Sequence, residues 1–216
     1  MKKIKEMNTI EKTHFFIIIF VRFATILAFL SALYTLNWLI VAITFISFIL
    51  TFGSEIFEKK YKIDIPIELE IIIIIFIFAS LILGEVHGYY TKFWWWDIIL
   101  HAGASIALGF TGFLILFILY KGKKINAKPC TIVIFSFCFA LALGALWEIF
   151  EFSMDQIFGF NMQKSGLIDT MWDLIVDSLG ALIASITGFI YLKKGKMLII
   201  DNIIKQFIKA NKFLFR

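Results

Sequence analysis

Asp97 and His101 stand four residues apart in WDIILHAGA, and Asp173 and Asp177 stand four apart in WDLIVDSLGA. On a helix, residues i and i+4 share a face, so each pair presents two donor groups in one direction. Both stretches begin Trp-Asp, continue with three apolar residues, end on His or Asp and run into small residues. A third stretch, ALWEIFEF, carries Glu148 and Glu151, and the segment after it adds Asp155 and Asp169. Oxygen donors with one imidazole suit Mg, Mn or Zn, and inward acids on antiparallel helices can hold one or two such ions. Carboxylates this close cannot all stay ionised unless a proton or a metal neutralises them. A bound ion could polarise a phosphoryl or carbonyl group and activate water, with one carboxylate left as general base. Without a metal, the same groups read as a proton relay or cation pathway. The metal-ligand candidates are Asp97, His101, Glu148, Asp173 and Asp177; the catalytic candidates are Glu148, Glu151 and Asp177.

The elements that must position these residues are apolar. The 216 residues are 61% hydrophobic with a mean hydropathy of +0.90, well above the roughly 45 to 50% apolar share of a soluble domain. Six segments, about 15–35, 38–53, 65–84, 97–120, 129–151 and 173–192, approach the ~20 residues a spanning helix needs. The fold class expected is an all-α polytopic membrane protein with six transmembrane helices. The first apolar run is long and has no small-residue cleavage site after it, so the first helix is expected to stay in the mature chain.

Basic residues alternate in density along the chain. Lys2, Lys3, Lys5 and Lys12 precede the first segment, and Lys59, Lys60 and Lys62 follow the second. Lys121, Lys123, Lys124 and Lys128 separate the fourth and fifth, and a basic tail from Lys193 to Arg216 follows the sixth. The opposite side holds Lys92 and Lys164. The positive-inside rule then puts both termini in the cytoplasm and the localisation at the cytoplasmic membrane. The same placement accounts for the net charge of +5 without a nucleic-acid partner; the partner expected is the lipid bilayer. On the outer side, Trp94, Trp95 and Trp96 beside Tyr89 and Tyr90 suit headgroup-level anchoring.

With that topology, segments four and six enter from outside and five runs the other way. Antiparallel counting then predicts two layers: His101, Glu148 and Asp177 one turn inside, and Asp97, Glu151 and Asp173 at the rim. Small residues such as Gly109, Gly112, Ala140, Gly144, Gly180, Ala184 and Gly188 concentrate in segments four to six, where they let helices approach closely in lipid. The domain organisation expected is one integral membrane domain. In it, helices 1–3 (1–92) form a buttress, helices 4–6 (93–192) carry the acidic site, and 193–216 is a basic cytoplasmic tail.

Plainer roles stand beside these. Asp97 and Asp169 could be N-caps, Thr170 with Asp173 approximates a capping box, and Asp155 could be a solvated loop acid. Glu85 and His87 could line the site or lie in solvent; Arg22 could snorkel or pair with Glu68 or Glu70; His14, Glu55 and Glu58 carry no specific signal. Cys130 and Cys138, about 12 Å apart on a helix, are too far apart for a disulfide and read as packing residues.

WDIILHAGA, ALWEIFEF and DTMWDLIVDSLGA together resemble the YjdF-like family of bacterial inner-membrane proteins. Those proteins share a D-x-x-x-H helix start, a W-E-x-x-E helix end and a D-T-x-x-D-x-x-x-D stretch leading into a last small-residue helix. The resemblance implies that Asp97, His101, Glu148, Glu151, Asp169, Asp173 and Asp177 are motif positions. A looser likeness is to VanZ-type membrane proteins, linked to glycopeptide resistance, from which the chain departs at Asp177. The leading functional expectation is a metal-dependent hydrolase or transferase acting, from an outward-facing Asp/Glu/His pocket, on a lipid-linked or envelope substrate. The alternatives are a small proton- or cation-coupled transporter and a non-catalytic envelope or resistance factor.

Overall fold

In a computed structural model, the chain is described over residues 7–195 and 201–215, and it is all-helical, with no strand among those residues. Lys2, Lys3, Lys5, Lys196 and Arg216 lie outside the described residues. Five helices are long and apolar enough to cross a membrane: α1 (Thr9–Tyr34), α4 with its continuation (Ile67–Val86), α6 (Trp96–Lys121), α7 (Pro129–Phe158) and α8 (Leu167–Lys194). A sixth span results if α2 (Trp38–Leu50) and α3 (Gly53–Tyr61), bent by 42° at their junction, count as one. Large apolar side chains such as Phe16, Phe20, Phe23, Trp38, Ile134 and Ile149 point outward, whereas Thr25, Thr44, Ser47, Ser105 and Ser136 are buried. This inverted distribution suits a lipid solvent.

The chain divides into two compact units. Of the described residues, the first comprises 7–96 together with 202–211. Here α1 begins with a capping box, in which the Asn8 side chain accepts from the Glu11 N–H and Glu11 returns a bond to the Asn8 N–H. That satisfies two of the backbone donors orphaned at a helix start. Arg22 pairs with Glu55 at 2.7 Å, donates to the Thr51 carbonyl and lies over the Phe52 ring. It therefore joins α1 to the α2–α3 bend rather than to Glu68 or Glu70. His14 instead reaches Glu70, at 3.1 Å. The helix α4 (Ile67–Ile77) widens into a π-helical stretch over Phe78–Val86, beyond which the short α5 (Tyr89–Lys92) follows.

The helix α9 (Asp201–Ala210) is strongly amphipathic, burying Ile204 and Phe207 while Lys205 and Lys209 stay exposed. Asn211 ends it fully buried, accepting from the Asp64 N–H and donating to the Asp64 carbonyl, both at 2.8 Å. Replacing Asn211 with Ala removes both bonds and leaves the Asp64 groups unpaired, which costs on the order of 1–3 kcal/mol. Faster amide exchange confined to α9 and the Asp64 loop is the expected result.

The second unit, 97–195 and 201 with 212–215 of the described residues, contains most of α6, together with α7 and α8. Small residues set its packing. A Cβ at Gly109 would lie 2.6 Å from that of Ala184, one at Gly112 would meet Phe139, and one at Gly180 would come 3.1 Å from the Ala102 carbonyl. Ser136 on α7 donates to the Gly109 carbonyl at 2.7 Å, and Ser185 on α8 donates to Ser136. The expected packing role of the cysteines is not what the structure shows: Cys130 and Cys138 are both exposed and unbridged. An apolar thiol loses nothing on the outside of a helix facing lipid.

Candidate functional site

The carboxylates and the imidazole come together at one end of α6, α7 and α8, and the registers of the two Trp-Asp repeats differ. Helix α6 begins at Trp96, so Asp97 lies in its first turn. Helix α8 begins earlier relative to its own repeat, at Leu167, so Asp169 occupies the first turn and Asp173 lies one turn deeper. Asp169 is therefore inside the helix rather than capping it, Gly166 is the N-cap, and Thr170 with Asp173 forms no capping box. The rim position expected for Asp173 does not hold: it is 3% exposed, as buried as Asp177.

His101, Glu148 and Asp173, one from each helix and all buried, offer ligand atoms that lie within 4.8 Å of one another. Asp97, Asp169 and Asp173 do the same nearer the helix starts. Asp177 sits on the other edge of the imidazole, its carboxylate 3.4 Å from His101 Nδ1. His101 Nε2 lies 3.9 Å from Glu148 Oε1 and 3.8 Å from Asp97 Oδ1, too far for a hydrogen bond and wide enough to admit a third atom. A proton on Nδ1 donated to Asp177 leaves the Nε2 lone pair directed at Glu148 and Asp97.

Glu148 is the anomaly of the group. It is 4% exposed, and neither carboxylate oxygen lies within full hydrogen-bond distance of a donor, although the Thr170 hydroxyl and the His101 ring stand beside it. The close approach of Gly144 to the Asp177 carboxylate lets α7 sit against α8 at this level. An uncompensated buried carboxylate costs several kcal/mol, so the arrangement calls for a cation or a proton.

Other candidates fall elsewhere. Glu151 accepts from the Trp147 indole N–H at 3.0 Å on its own helix and is not among the converging oxygens. Asp155 is helical, in the last turn of α7, and accepts from the Met162 and Gln163 N–H groups at 2.7 and 3.0 Å, which ties down the turn after α7. His87 closes the end of the π-helical stretch through Nδ1 on the Ile82 carbonyl. The sequence offered Lys164 only as one of two basic residues on the sparsely charged side, with no role; in the structure its ammonium sits 2.6 Å from Asp97 Oδ2. Thr170 was also missed as a neighbour of the site, and its hydroxyl accepts from the Gln163 amide at 2.6 Å. A lone loop lysine among acids is the one signal that could have indicated the pairing.

The family model described as predicted membrane protein (DUF2238) matches residues 13–194, and the resemblance to the YjdF-like family agrees with it, since DUF2238 is that family. An uncharacterized protein of Thermotoga maritima is 33% identical over 144 residues, covering 66% of this chain and 72% of the relative. No solved structure matches. The matched span includes every residue of both ligand groups, and the chain belongs to the DUF2238 family of predicted multi-pass membrane proteins.

Proposed function

We propose that the chain crosses the cytoplasmic membrane six times with both termini inside, and that His101, Glu148 and Asp173 hold a divalent cation at its outward end. The cation serves metal-assisted hydrolysis or transfer on a lipid-linked or envelope substrate. The observation that carries this reading is Glu148, buried with both oxygens unpartnered beside an imidazole nitrogen and a second buried acid. A small contraction of these side chains would bring them to the roughly 2.1 Å at which Zn, Mn or Mg is bound. Asp177 then takes the orienting position behind a metal-bound histidine, fixing the ring and raising its basicity. Glu151, on the same helix three residues after Glu148 and outside the converging set, is left as the carboxylate from which a base for water activation is drawn. The outward placement rests on the lysine asymmetry, with Trp94, exposed beside the start of α6, as an interfacial anchor.

Metal content of the purified protein tests the reading. Near-stoichiometric metal in the native chain, lost in a His101→Ala, Asp177→Asn double variant, is the expected result. An equally metal-free native chain, after growth in metal-replete medium and purification without chelator, would sink it.

A transport reading draws on one observation: Ser105, Ser136 and Ser185, one on each of the same three helices, are all buried. Ser105 and Ser136 donate to backbone carbonyls and Ser185 to Ser136, which is also what helix-packing serines do in lipid. A cysteine at position 148 modified from both sides of the membrane would favour transport; modification from outside alone favours the enzyme.

A further inference from the structure

We infer that the acids form a two-cation centre in which Asp173 is shared between a deep subsite, with His101 and Glu148, and an outer subsite, with Asp97 and Asp169. This rests on the cation-binding reading of the deep group. Asp173 belongs to both sets of converging ligand atoms, and it is the only residue that does so among the described residues. A carboxylate has two oxygens with lone pairs in different directions, so one buried Asp can face two ions at once. In two-metal sites such ions stand about 3.5–4 Å apart and clamp the attacking and leaving oxygens of a displacement.

The two subsites differ in chemistry. The deep one includes an imidazole and is closed in by three helices, which suits Zn or Mn. The outer one offers carboxylate oxygens alone and is half-buried, which suits a hard ion that keeps some of its water, Mg or Mn. Two independent features point to ligands here. Glu148 is a carboxylate more than nine-tenths buried that accepts no close hydrogen bond and converges with His101 and Asp173, and the Oδ2 atom of the half-buried Asp169 is shielded and accepts none either. The Lys164 ammonium already lies on Asp97, so the outer subsite holds a monovalent cation supplied by the chain itself. The segment that carries Lys164 is bounded by Gly159 and Gly166, at φ +68° and +67°, conformations open to glycine that let the turn change course at both ends. Lys164 is thus the resident counter-ion that a second metal displaces.

Mn2+ reports this directly, because two ions sharing a carboxylate are exchange-coupled and their EPR spectrum differs from that of one isolated ion. The full chain, stripped with chelator in detergent, is titrated with Mn2+ alone. Two ions per chain with a coupled spectrum at saturation are expected. Asp97→Asn, with Asp169→Asn as a second variant should the first fail to fold, is expected to retain one uncoupled ion. Lys164→Met is expected to bind the second ion on the order of tenfold more tightly, the equivalent of about 1.4 kcal/mol for one competing ion pair. One uncoupled ion in both the native chain and Lys164→Met overturns the shared centre while the single-ion reading stands. No Mn2+ bound in any of them overturns both.

Discussion

In chelator, Glu148→Gln is expected to unfold at a higher temperature than the native chain, and in millimolar Mn2+ the order is expected to reverse. Without a cation, Glu148 is a buried carboxylate that accepts no close hydrogen bond and has only the His101 ring, 3.9 Å away, and the Thr170 hydroxyl to offset Asp173 and Asp177, which are also buried. The amide is nearly isosteric and uncharged, so it removes both the desolvation cost and the repulsion, together several kcal/mol by the usual scale of an uncompensated buried charge. With a cation present, the sign changes. Binding to the folded state alone stabilises by about 2.7 kcal/mol when the free ion is at a hundred times its dissociation constant, and about 4.1 kcal/mol at a thousand times. The amide forfeits an anionic ligand and most of that gain. Melting followed by intrinsic tryptophan fluorescence in one detergent, with chelator and then with Mn2+, gives four curves. A crossing of the pairs identifies Glu148 as a ligand. Parallel shifts, with the variant more stable in both conditions, would mean that Glu148 is a carboxylate kept neutral by a proton and that the cation reading is wrong.

The family and the all-helical class were legible in the sequence because each rests on local spacing, whereas of the acids expected at the site Glu151 stands outside the converging groups. The i, i+4 pairs Asp97/His101 and Asp173/Asp177 needed only the 3.6-residue period, and small residues at helix contacts needed only composition. Depth was not legible, because it depends on where each helix begins. The Trp-Asp repeat invites an equal register for α6 and α8, but α8 starts at Leu167, a full turn before its Trp-Asp pair, whereas α6 starts on its own Trp96. Gly166, with φ +67°, ends the preceding turn and fixes that start; nothing in a hydropathy profile marks it. The same one-turn offset moves Asp173 down to the level of His101, promotes Asp169 to partner Asp97, and drops Asp177 behind the imidazole. Pairings across long sequence separations escaped for a related reason. Arg22 with Glu55, His14 with Glu70 and Lys164 with Asp97 each depend on the rotation of two helices or a turn about their own axes.

Because packing of α6 against α8 delivers His101 and Asp173 to the same place, one methyl group at that contact should reach the site. Gly109→Ala puts a Cβ 2.6 Å from the Cβ of Ala184 and 3.7 Å from the Ala181 backbone. Ala184 has no rotamer to turn aside, so the helices themselves must part, at a cost of about 1–3 kcal/mol for an overpacked contact. The Ser136 bond to the Gly109 carbonyl, which ties in α7, is strained by the same movement. Gly103→Ala is the matched control. It lies on the same helix, two residues from His101, and a Cβ there meets nothing within 4 Å. It is expected to stabilise by up to about 1 kcal/mol through helix propensity alone. Opposite shifts in melting temperature for the two alanines are therefore expected, with weaker Mn2+ binding only in Gly109→Ala. If Gly109→Ala melts and binds like the native chain, close approach of α6 and α8 is not what assembles the ligands. Loss of Mn2+ binding in Gly103→Ala, by contrast, would show that the face of α6 beside His101, open among the described residues, is itself occupied when the ion is bound.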